Sequence, residues 1–186
     1  MRIGSDVRHT QVIATLARVY QPEVYLELGV YECETFKLVE EVCDYCIGVD
    51  IKEVSCQDNN ENIIWACSTD EFFENKSIDK FFEDRQLKNK KVDMVFIDAC
   101  HKYENVLKDF ENSLEVLSDG GCIIIHDTDP VSDHYLHPGL CSDSHKIVKT
   151  IEARDDLNIV TLPCGVEGLS IVTKKNKTRT QRRHEG

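Results

Sequence analysis

The sequence predicts an α/β protein built on a doubly wound sheet, and two observations carry this prediction. Short apolar runs rich in β-branched residues alternate with segments of helical periodicity, which is typical of parallel strands joined by crossover helices. Only residues 163–168 separate the last two apolar runs. Because a parallel crossover needs more residues than that, these two runs predict an antiparallel hairpin at the C-terminal end.

The predicted elements alternate along the chain. Each strand is a run of four to seven mostly apolar residues, and the predicted strands are 24–28, 46–51, 63–66, 92–98, 122–126, 159–162 and 169–172. Each helix is a segment in which apolar residues recur at helical spacing, and the predicted helices are 7–19, 33–44, 70–84, 102–117 and 143–153. Together they predict a Rossmann-like doubly wound seven-stranded sheet, mostly parallel, with an antiparallel C-terminal hairpin strand and helices on both faces.

Length and charge predict one acidic domain, 1–173, followed by a basic tail, 174–186, that is expected to be disordered. The 186 residues include 34 Asp and Glu against 22 Lys and Arg, a formal net charge of −12. Such an acidic body repels phosphate groups, so neither nucleic acid nor a membrane is expected as the main partner. Nine scattered cysteines do not suit a disulfide framework, and no signal peptide or membrane-spanning run is visible, so a cytoplasmic location is expected.

Candidate binding residues follow the first strand. Glu27 is the acid near its end, and Gly29 permits close backbone approach of a ligand before a helix begins. The phosphate-binding pattern G-x-G-x-x-G is absent, since no glycine follows Gly29 before Gly48. A dinucleotide is therefore disfavoured, and a ligand with hydroxyl or cationic groups is favoured.

Further acids end the next two strands. Asp50 stands about where nucleotide-binding folds place the carboxylate that accepts ribose hydroxyl groups. After the third predicted strand come Ser68, Thr69 and Asp70, any of which is also suitable as the N-cap of the following helix. The sequence leaves both interpretations of Asp70 open.

The fourth and fifth strands supply the most informative residues. The fourth ends at Asp98, with His101 three residues later, and the fifth ends at His126 and Asp127. Because neighbouring parallel strands end at the same edge of a sheet, Asp98 and Asp127 are predicted to lie close enough to share a hard cation. Helix capping or binding of loop amides is the alternative for either carboxylate, and capping of the next helix is the alternative for His101.

These strand-end residues resemble those of class I S-adenosylmethionine-dependent methyltransferases. Within that class the chain is similar to the small-molecule O-methyltransferase branch near macrocin O-methyltransferase and the cephalosporin-hydroxylase-like proteins. The resemblance covers residues 8–173, and its most specific segments are 26–32, 96–104 and 119–128. It implies S-adenosylmethionine as cofactor.

The resemblance also implies a role for individual residues. It places Glu27, Gly29, Tyr31, Asp50, Thr69, Asp70 and Asp98 at the cofactor. Among these, Asp50 is expected to hold the ribose and Asp70 to face adenine. It further implies a divalent cation, Mg²⁺ or another, on Asp98 and Asp127 with His126 as a third ligand. The chain departs from the resemblance at two positions: Cys33 replaces a small residue of the first motif, and Cys100 replaces an acid, which weakens the metal assignment.

The function predicted from these residues is methylation of a small polar molecule at a hydroxyl group. His101 is expected to take the proton near neutral pH, and Asp98 to lie beside the reacting atoms. The loop 129–141 is expected to act as a lid over the acceptor, whose identity it does not reveal. A catalytically silent nucleoside- or protein-binding module and a metal-dependent hydrolase are the alternatives, and homo-oligomerisation is left open.

Overall fold

The structure, a computed structural model, describes residues 7–54, 62–87 and 89–175, which form a seven-stranded sheet in the order β3-β2-β1-β4-β5-β7-β6. The strands are β1 (Val24–Leu28), β2 (Tyr45–Asp50), β3 (Ile63–Ala66), β4 (Val92–Ile97), β5 (Leu117–His126), β6 (Leu157–Leu162) and β7 (Leu169–Lys174). The helices are α1 (His9–Tyr20), α2 (Glu34–Glu40), α3 (Thr69–Glu74), α4 (Ser77–Asp84), α5 (Tyr103–Val116) and α6 (Ile147–Glu152). Short 3₁₀ helices cover Asp133–Leu136 and Ser144–Lys146.

The strand directions confirm the predicted fold class. Strands β1 to β5 pair in parallel, whereas β7 pairs antiparallel with both β5 and β6. β1 lies between β2 and β4, so the chain order reverses there. In doubly wound sheets this switch point opens a crevice at the carboxyl ends of the strands, where ligands bind.

Helices cover both faces of the sheet, as predicted. On one face α3, α4, α5 and α6 contribute buried side chains such as Phe72, Phe81 and Phe110. On the other face α1 and α2 contribute Ile13 and Phe36. The strand residues alternate between these two cores, because successive side chains of a strand point to opposite faces. No helix in the described part of the chain is long and apolar enough to cross a membrane.

Several predicted boundaries were wrong. The predicted helix 70–84 is two helices, because Lys76 adopts a left-handed conformation with φ of 51° between α3 and α4. The predicted helix 33–44 ends at Glu40, where a tight turn closes with Val42 N donating to Val39 O at 3.0 Å. The predicted helix 143–153 begins as a 3₁₀ turn, and β5 begins five residues earlier than expected, at Leu117.

The last strand continues one residue past the predicted domain end at 173. Lys174 belongs to β7, and its ammonium group donates a hydrogen bond of 2.8 Å to the carbonyl oxygen of Leu117. This lysine is therefore part of the sheet. Apart from Lys174 and Lys175, the predicted tail lies outside the described residues.

Candidate functional site

The turn after β1 is held between its two neighbouring strands. Gly29 N donates to Val49 O, and Asp98 N donates to Leu28 O, both at 2.8 Å. Gly29 has φ of 91°, and a Cβ atom there would lie 2.3 Å from the carbonyl oxygen of Asp98. Only glycine fits this position, so the turn packs directly against the end of β4.

Glu27 lies beneath this turn as a buried carboxyl group. It is 2% exposed, and the hydroxyl of Tyr25 donates to its Oε2 at 2.7 Å. Burial raises the pKa of Glu27 well above its usual range, although the hydrogen bond from Tyr25 opposes that shift. Both residues of the pair belong to β1, and direct contact between Glu27 and a cofactor stays a prediction.

Asp50 closes the turn from the side of β2. Its Oδ2 accepts hydrogen bonds from Val30 N at 3.1 Å and Tyr31 N at 2.8 Å, and its Oδ1 accepts one from Lys52 N at 2.9 Å. A carboxylate offers about four acceptor positions. One ribose hydroxyl can therefore join without loss, whereas a second must replace a backbone amide.

A cleft of about 570 Å³ opens beside Asp50, a volume typical of small-molecule sites. Its lining includes Asp50, the exposed side chains of Tyr31 and Ile51, and the buried Cys33. The predicted cofactor residues Tyr31 and Asp50 thus meet in one cavity.

The structure gives Thr69 and Asp70 other partners, and neither lines this cleft. Asp70 pairs with Lys108 of α5, its Oδ1 lying 2.7 Å from the ammonium nitrogen. The hydroxyl of Thr69 contacts the buried Asp109, whose pKa burial raises to about 6. Ser68, not Asp70, is the N-cap of α3, in a capping box with Glu71. Adenine recognition by Thr69 and Asp70 stays a prediction.

The carboxyl ends of β4 and β5 bring together three side chains, Asp98, His101 and Asp127, which we call the acid cluster. Each offers one ligand atom within 4.8 Å of the others. Nε2 of His101 lies 3.6 Å from Asp98 Oδ1, and Nδ1 of His101 lies 2.9 Å from Asp127 Oδ2. Asp127 is almost fully buried and has φ of 60°, a conformation that aspartate tolerates better than most residues. The predicted proximity of Asp98 and Asp127 is therefore present in the structure.

Ion pairing sets the protonation of the acid cluster. Contact with Asp127 raises the pKa of His101 to about 9, against the opposing effect of burial. Burial alone would raise the pKa of Asp127, but the neighbouring His101 and His126 outweigh it and lower that pKa. His101 thus carries a proton at neutral pH. An imidazolium is suited to stabilise negative charge rather than to accept a proton, which differs from the predicted role of His101.

His126 lies beside both carboxylates of the acid cluster. Its Nδ1 is 3.0 Å from Asp98 Oδ1 and 3.5 Å from Asp127 Oδ1. Burial lowers the pKa of His126, but the charges of Asp98 and Asp127 outweigh burial and raise it. His126 therefore acts as a hydrogen-bond donor to Asp98, and its role as a metal ligand stays a prediction.

The loop after β5 covers the acid cluster. Nδ1 of His101 contacts the carbonyl oxygen of Leu140, and the thiol of the buried Cys141 contacts Asp127. Tyr103 N donates to Asp143 Oδ1 at 2.8 Å, which fastens the far end of the loop to α5. The loop thus contacts His101 and Asp127, and its action as a lid stays a prediction.

The acid cluster fits a divalent cation. Asp98 and Asp127 are hard oxygen donors, and the buried Oδ2 of Asp127 has no aligned hydrogen-bond donor within the described residues. The Nδ1–H of His101 points at the carbonyl oxygen of Leu140. The contact between Nδ1 of His101 and Oδ2 of Asp127 is therefore an ion pair without an aligned hydrogen bond. A bound cation would displace the proton of His101, which would then offer a nitrogen, and ions such as Mn²⁺ or Zn²⁺ would suit that set better than Mg²⁺.

Sequence reasoning missed two residues of this region. His9, on the first turn of α1, packs its ring against His126, with centroids 4.2 Å apart. Cys141, at the end of the loop 129–141, contacts Asp127. No local pattern marks His9, because its position depends on how α1 docks on the sheet.

Comparison with known proteins places this architecture among characterised structures. The sequence model of a methyltransferase domain family matches residues 26–128, more than half of the chain. No curated protein matches the chain.

Solved structures match over nearly the whole fold. The O-methyltransferase TomG of Streptomyces achromogenes, solved with S-adenosylmethionine, is 14% identical with a TM-score of 0.64, over 90% of this chain and 79% of its own. An O-methyltransferase of Bacillus cereus, solved with S-adenosylhomocysteine, is 16% identical with a TM-score of 0.61, over 91% and 83%. Cofactor-bound Rv0187 from MTB is 12% identical with a TM-score of 0.67, over 95% and 84%.

Proposed function

The chain belongs to this methyltransferase domain family, and we propose that it transfers the methyl group of S-adenosylmethionine to a hydroxyl group of a small polar molecule. The observation that carries the proposal is the contact between the Gly29 turn and Asp98. A methyl donor held at this turn lies directly beside the acid cluster. The donor site is thus adjacent to the groups proposed to carry out the reaction.

The donor side of the site is formed by the turn and the cleft. Asp50 has one acceptor position left for a ribose hydroxyl, and the cleft beside it has the volume of a small-molecule site. The sulfonium of the donor is a cation, and carboxylates at the carboxyl edge of the sheet favour its approach. TomG and the Bacillus cereus protein, which share the fold, hold S-adenosylmethionine and S-adenosylhomocysteine.

The reaction is an in-line displacement. The acceptor oxygen attacks the methyl carbon, a C–O bond forms as the C–S bond breaks, and the sulfonium becomes a thioether. Asp98, whose side chain is 23% exposed, takes the hydroxyl proton. The imidazolium of His101 stabilises the negative charge that develops on the acceptor oxygen. Alignment of donor and acceptor supplies most of the remaining rate enhancement.

A divalent cation is the alternative to the imidazolium of His101 in this proposal. Asp98, Asp127 and unprotonated His101 would hold it, and the cation would then replace the ring proton as the positive charge of the acid cluster. A cation there would lower the pKa of an acceptor hydroxyl. Addition of Mn²⁺, Zn²⁺ or Mg²⁺ to metal-stripped protein would then raise the rate, while unchanged activity in chelator would assign the chemistry to the side chains alone.

The proposed function is tested by incubating the protein with S-adenosylmethionine and a panel of small hydroxylated molecules, and detecting methylated product by mass spectrometry. Product whose formation consumes the donor supports the proposal. Donor binding without turnover on any acceptor would favour a silent binding module. Metal-dependent hydrolysis without donor consumption would favour a hydrolase.

A further inference from the structure

We propose that His9 is a positioning residue of the site: its ring holds the ring of His126, and through it the Asp98 carboxylate, in the orientation that accepts the proton. The inference rests on the proposed function, because that function assigns the proton to Asp98. His9 itself belongs to α1, outside the segments that resemble methyltransferase motifs.

The rings of His9, His126 and Phe96 pack together, and the ring of His126 contacts Asp98. The His9 ring centroid lies 4.2 Å from that of His126, with the planes at 57°, and 6.0 Å from that of Phe96, nearly stacked at 28°. Phe96 and His126 contact each other at 6.4 Å. The ring of His126 is therefore packed against a ring from α1 and a ring from β4.

This packing matters because only one ring nitrogen of His126 has polar contacts in the described part of the protein. Its Nδ1 lies 3.0 Å from Asp98 Oδ1 and 3.5 Å from Asp127 Oδ1, whereas its buried Nε2 has no hydrogen-bond partner there. A ring held at one nitrogen can still tilt about that contact. Packing against His9 removes this freedom, so the hydrogen bond to Asp98 keeps one direction.

The start of α1 is fastened at this place by backbone contacts. The carbonyl oxygen of Val7 accepts hydrogen bonds from Gly165 N at 3.0 Å and from the Cys164 thiol at 3.2 Å. Both donors belong to the loop between β6 and β7. His9 is thus held over the carboxyl edge of the sheet by an anchor two residues before it.

The test compares His9→Leu, which fills the space without an aromatic ring, with His9→Phe, which keeps the ring. We expect kcat to fall about ten-fold in H9L, with KM and the affinity for S-adenosylmethionine unchanged, because misplacing a reacting group slows the chemical step. H9F is expected to retain a kcat close to the wild-type value. Should H9L not fold, His9→Met replaces it.

Tyr20→Phe is the matched control on the same helix. Tyr20 donates to the carbonyl oxygen of Gly120 at the opposite edge of the sheet, so Y20F weakens the docking of α1 without touching His126. It should leave kcat unchanged. A kcat in Y20F as low as that in H9L would reduce the effect of His9 to general helix docking and overturn the proposal.

A second measurement does not depend on activity. The ¹⁵N signals of the His126 ring, assigned by their absence in His126→Gln, should shift in H9L and stay near wild type in H9F. Unchanged signals in H9L, or equal kcat in wild type, H9L and H9F, would overturn the role of His9. Absence of methyl transfer by the wild type would contradict the proposed function instead, and the ring signals would still decide the position of His126.

Discussion

Strand β4 carries an aspartate at each end, and the two have opposite surroundings. At the amino end, Asp93 accepts hydrogen bonds from Glu23 N at 3.1 Å, Val24 N at 3.2 Å and the Ser118 hydroxyl at 2.9 Å. At the carboxyl end, the side chain of Asp98 instead contacts the titratable side chains of His126 and His101. Backbone amides cannot exchange protons with a substrate at neutral pH, so Asp93 joins strands whereas Asp98 can do chemistry.

The same contrast extends to the two edges of the sheet. At the amino edge, Tyr20 donates to Gly120 O and Lys174 donates to Leu117 O, contacts that fasten one element to another. At the carboxyl edge, His126 and Asp127 each keep a buried polar atom without an aligned partner among the described residues. Unsatisfied buried groups are costly to the fold, and use by a ligand or a reaction is one reason why a protein keeps them.

The largest expected effect comes from Asp98→Asn, which keeps the shape of Asp98 and removes its ability to take a proton. We expect the rate of methyl transfer to fall by roughly a thousand-fold. The affinity for S-adenosylmethionine and the urea midpoint of unfolding should stay close to wild type. Methyl transfer at the wild-type rate in D98N would remove Asp98 from the chemistry.

The next effect in size concerns the two ends of β2. Asp50→Ala removes a charged acceptor that holds the first turn and is available to a ribose hydroxyl, so donor affinity should fall by about 1.5–3 kcal/mol. Calorimetric titration with S-adenosylhomocysteine measures this change. Asp44→Ala, at the exposed amino end of the same strand, is the matched control and should bind like wild type. Equal affinities in the two variants would exclude Asp50 from the donor site.

A pH-dependent effect is expected from Asp109, buried between α5 and α3. Burial raises its pKa from 3.8 to about 6, so the folded chain binds this proton more tightly than the unfolded chain does. The stability it contributes is full below about pH 4 and is lost as the pH rises through about 6. Asp109→Asn should therefore be more stable than wild type at pH 7.5, by roughly 2–3 kcal/mol.

Urea unfolding at pH 4 and pH 7.5 measures the gap between D109N and wild type, which should shrink at the lower pH. Asp119→Asn, at an exposed position of β5, should show no such dependence. A gap of equal size at both pH values would mean that the carboxyl group of Asp109 does not titrate in this range.

The smallest expected effect completes the comparison within β4. Asp93→Asn weakens the acceptor of two backbone amides and should lower the free energy of unfolding by roughly 1–2 kcal/mol, as measured by urea. Its rate of methyl transfer per folded molecule should equal that of wild type. A loss of activity as large as that of D98N would erase the distinction between the two edges.

Strand ends were the part of the site that sequence could predict. The bounds of β1 and β3 are those expected, and Asp50, Asp98 and Asp127 lie at one edge because parallel strands end together. The charge of His101 was not predictable, since it depends on contact with Asp127, 26 positions later in the sequence. His9 was missed because its ring reaches His126 only when the start of α1 lies against the loop between β6 and β7. That contact joins Val7 to Gly165, which are 158 residues apart.

The helix boundaries failed for a local reason. The pattern over 70–84 is amphipathic throughout, yet the chain turns at Lys76, and the α3 capping box at Ser68 and Glu71 sets only where the first helix begins. The spacing of apolar side chains does not reveal that one residue within the pattern has a positive φ. A break of this kind becomes visible only when the packing of Phe72 and Phe81 into the same core is known.

The central claim is that the carboxyl edge of the sheet binds a methyl donor. Isothermal titration of S-adenosylhomocysteine into the wild type and D93N tests it most directly, because this binding can be measured without knowing the acceptor. We predict one binding site per chain, with equal affinity in the two proteins and weaker affinity in D50A. Absence of binding to the folded wild type at millimolar ligand would contradict the claim.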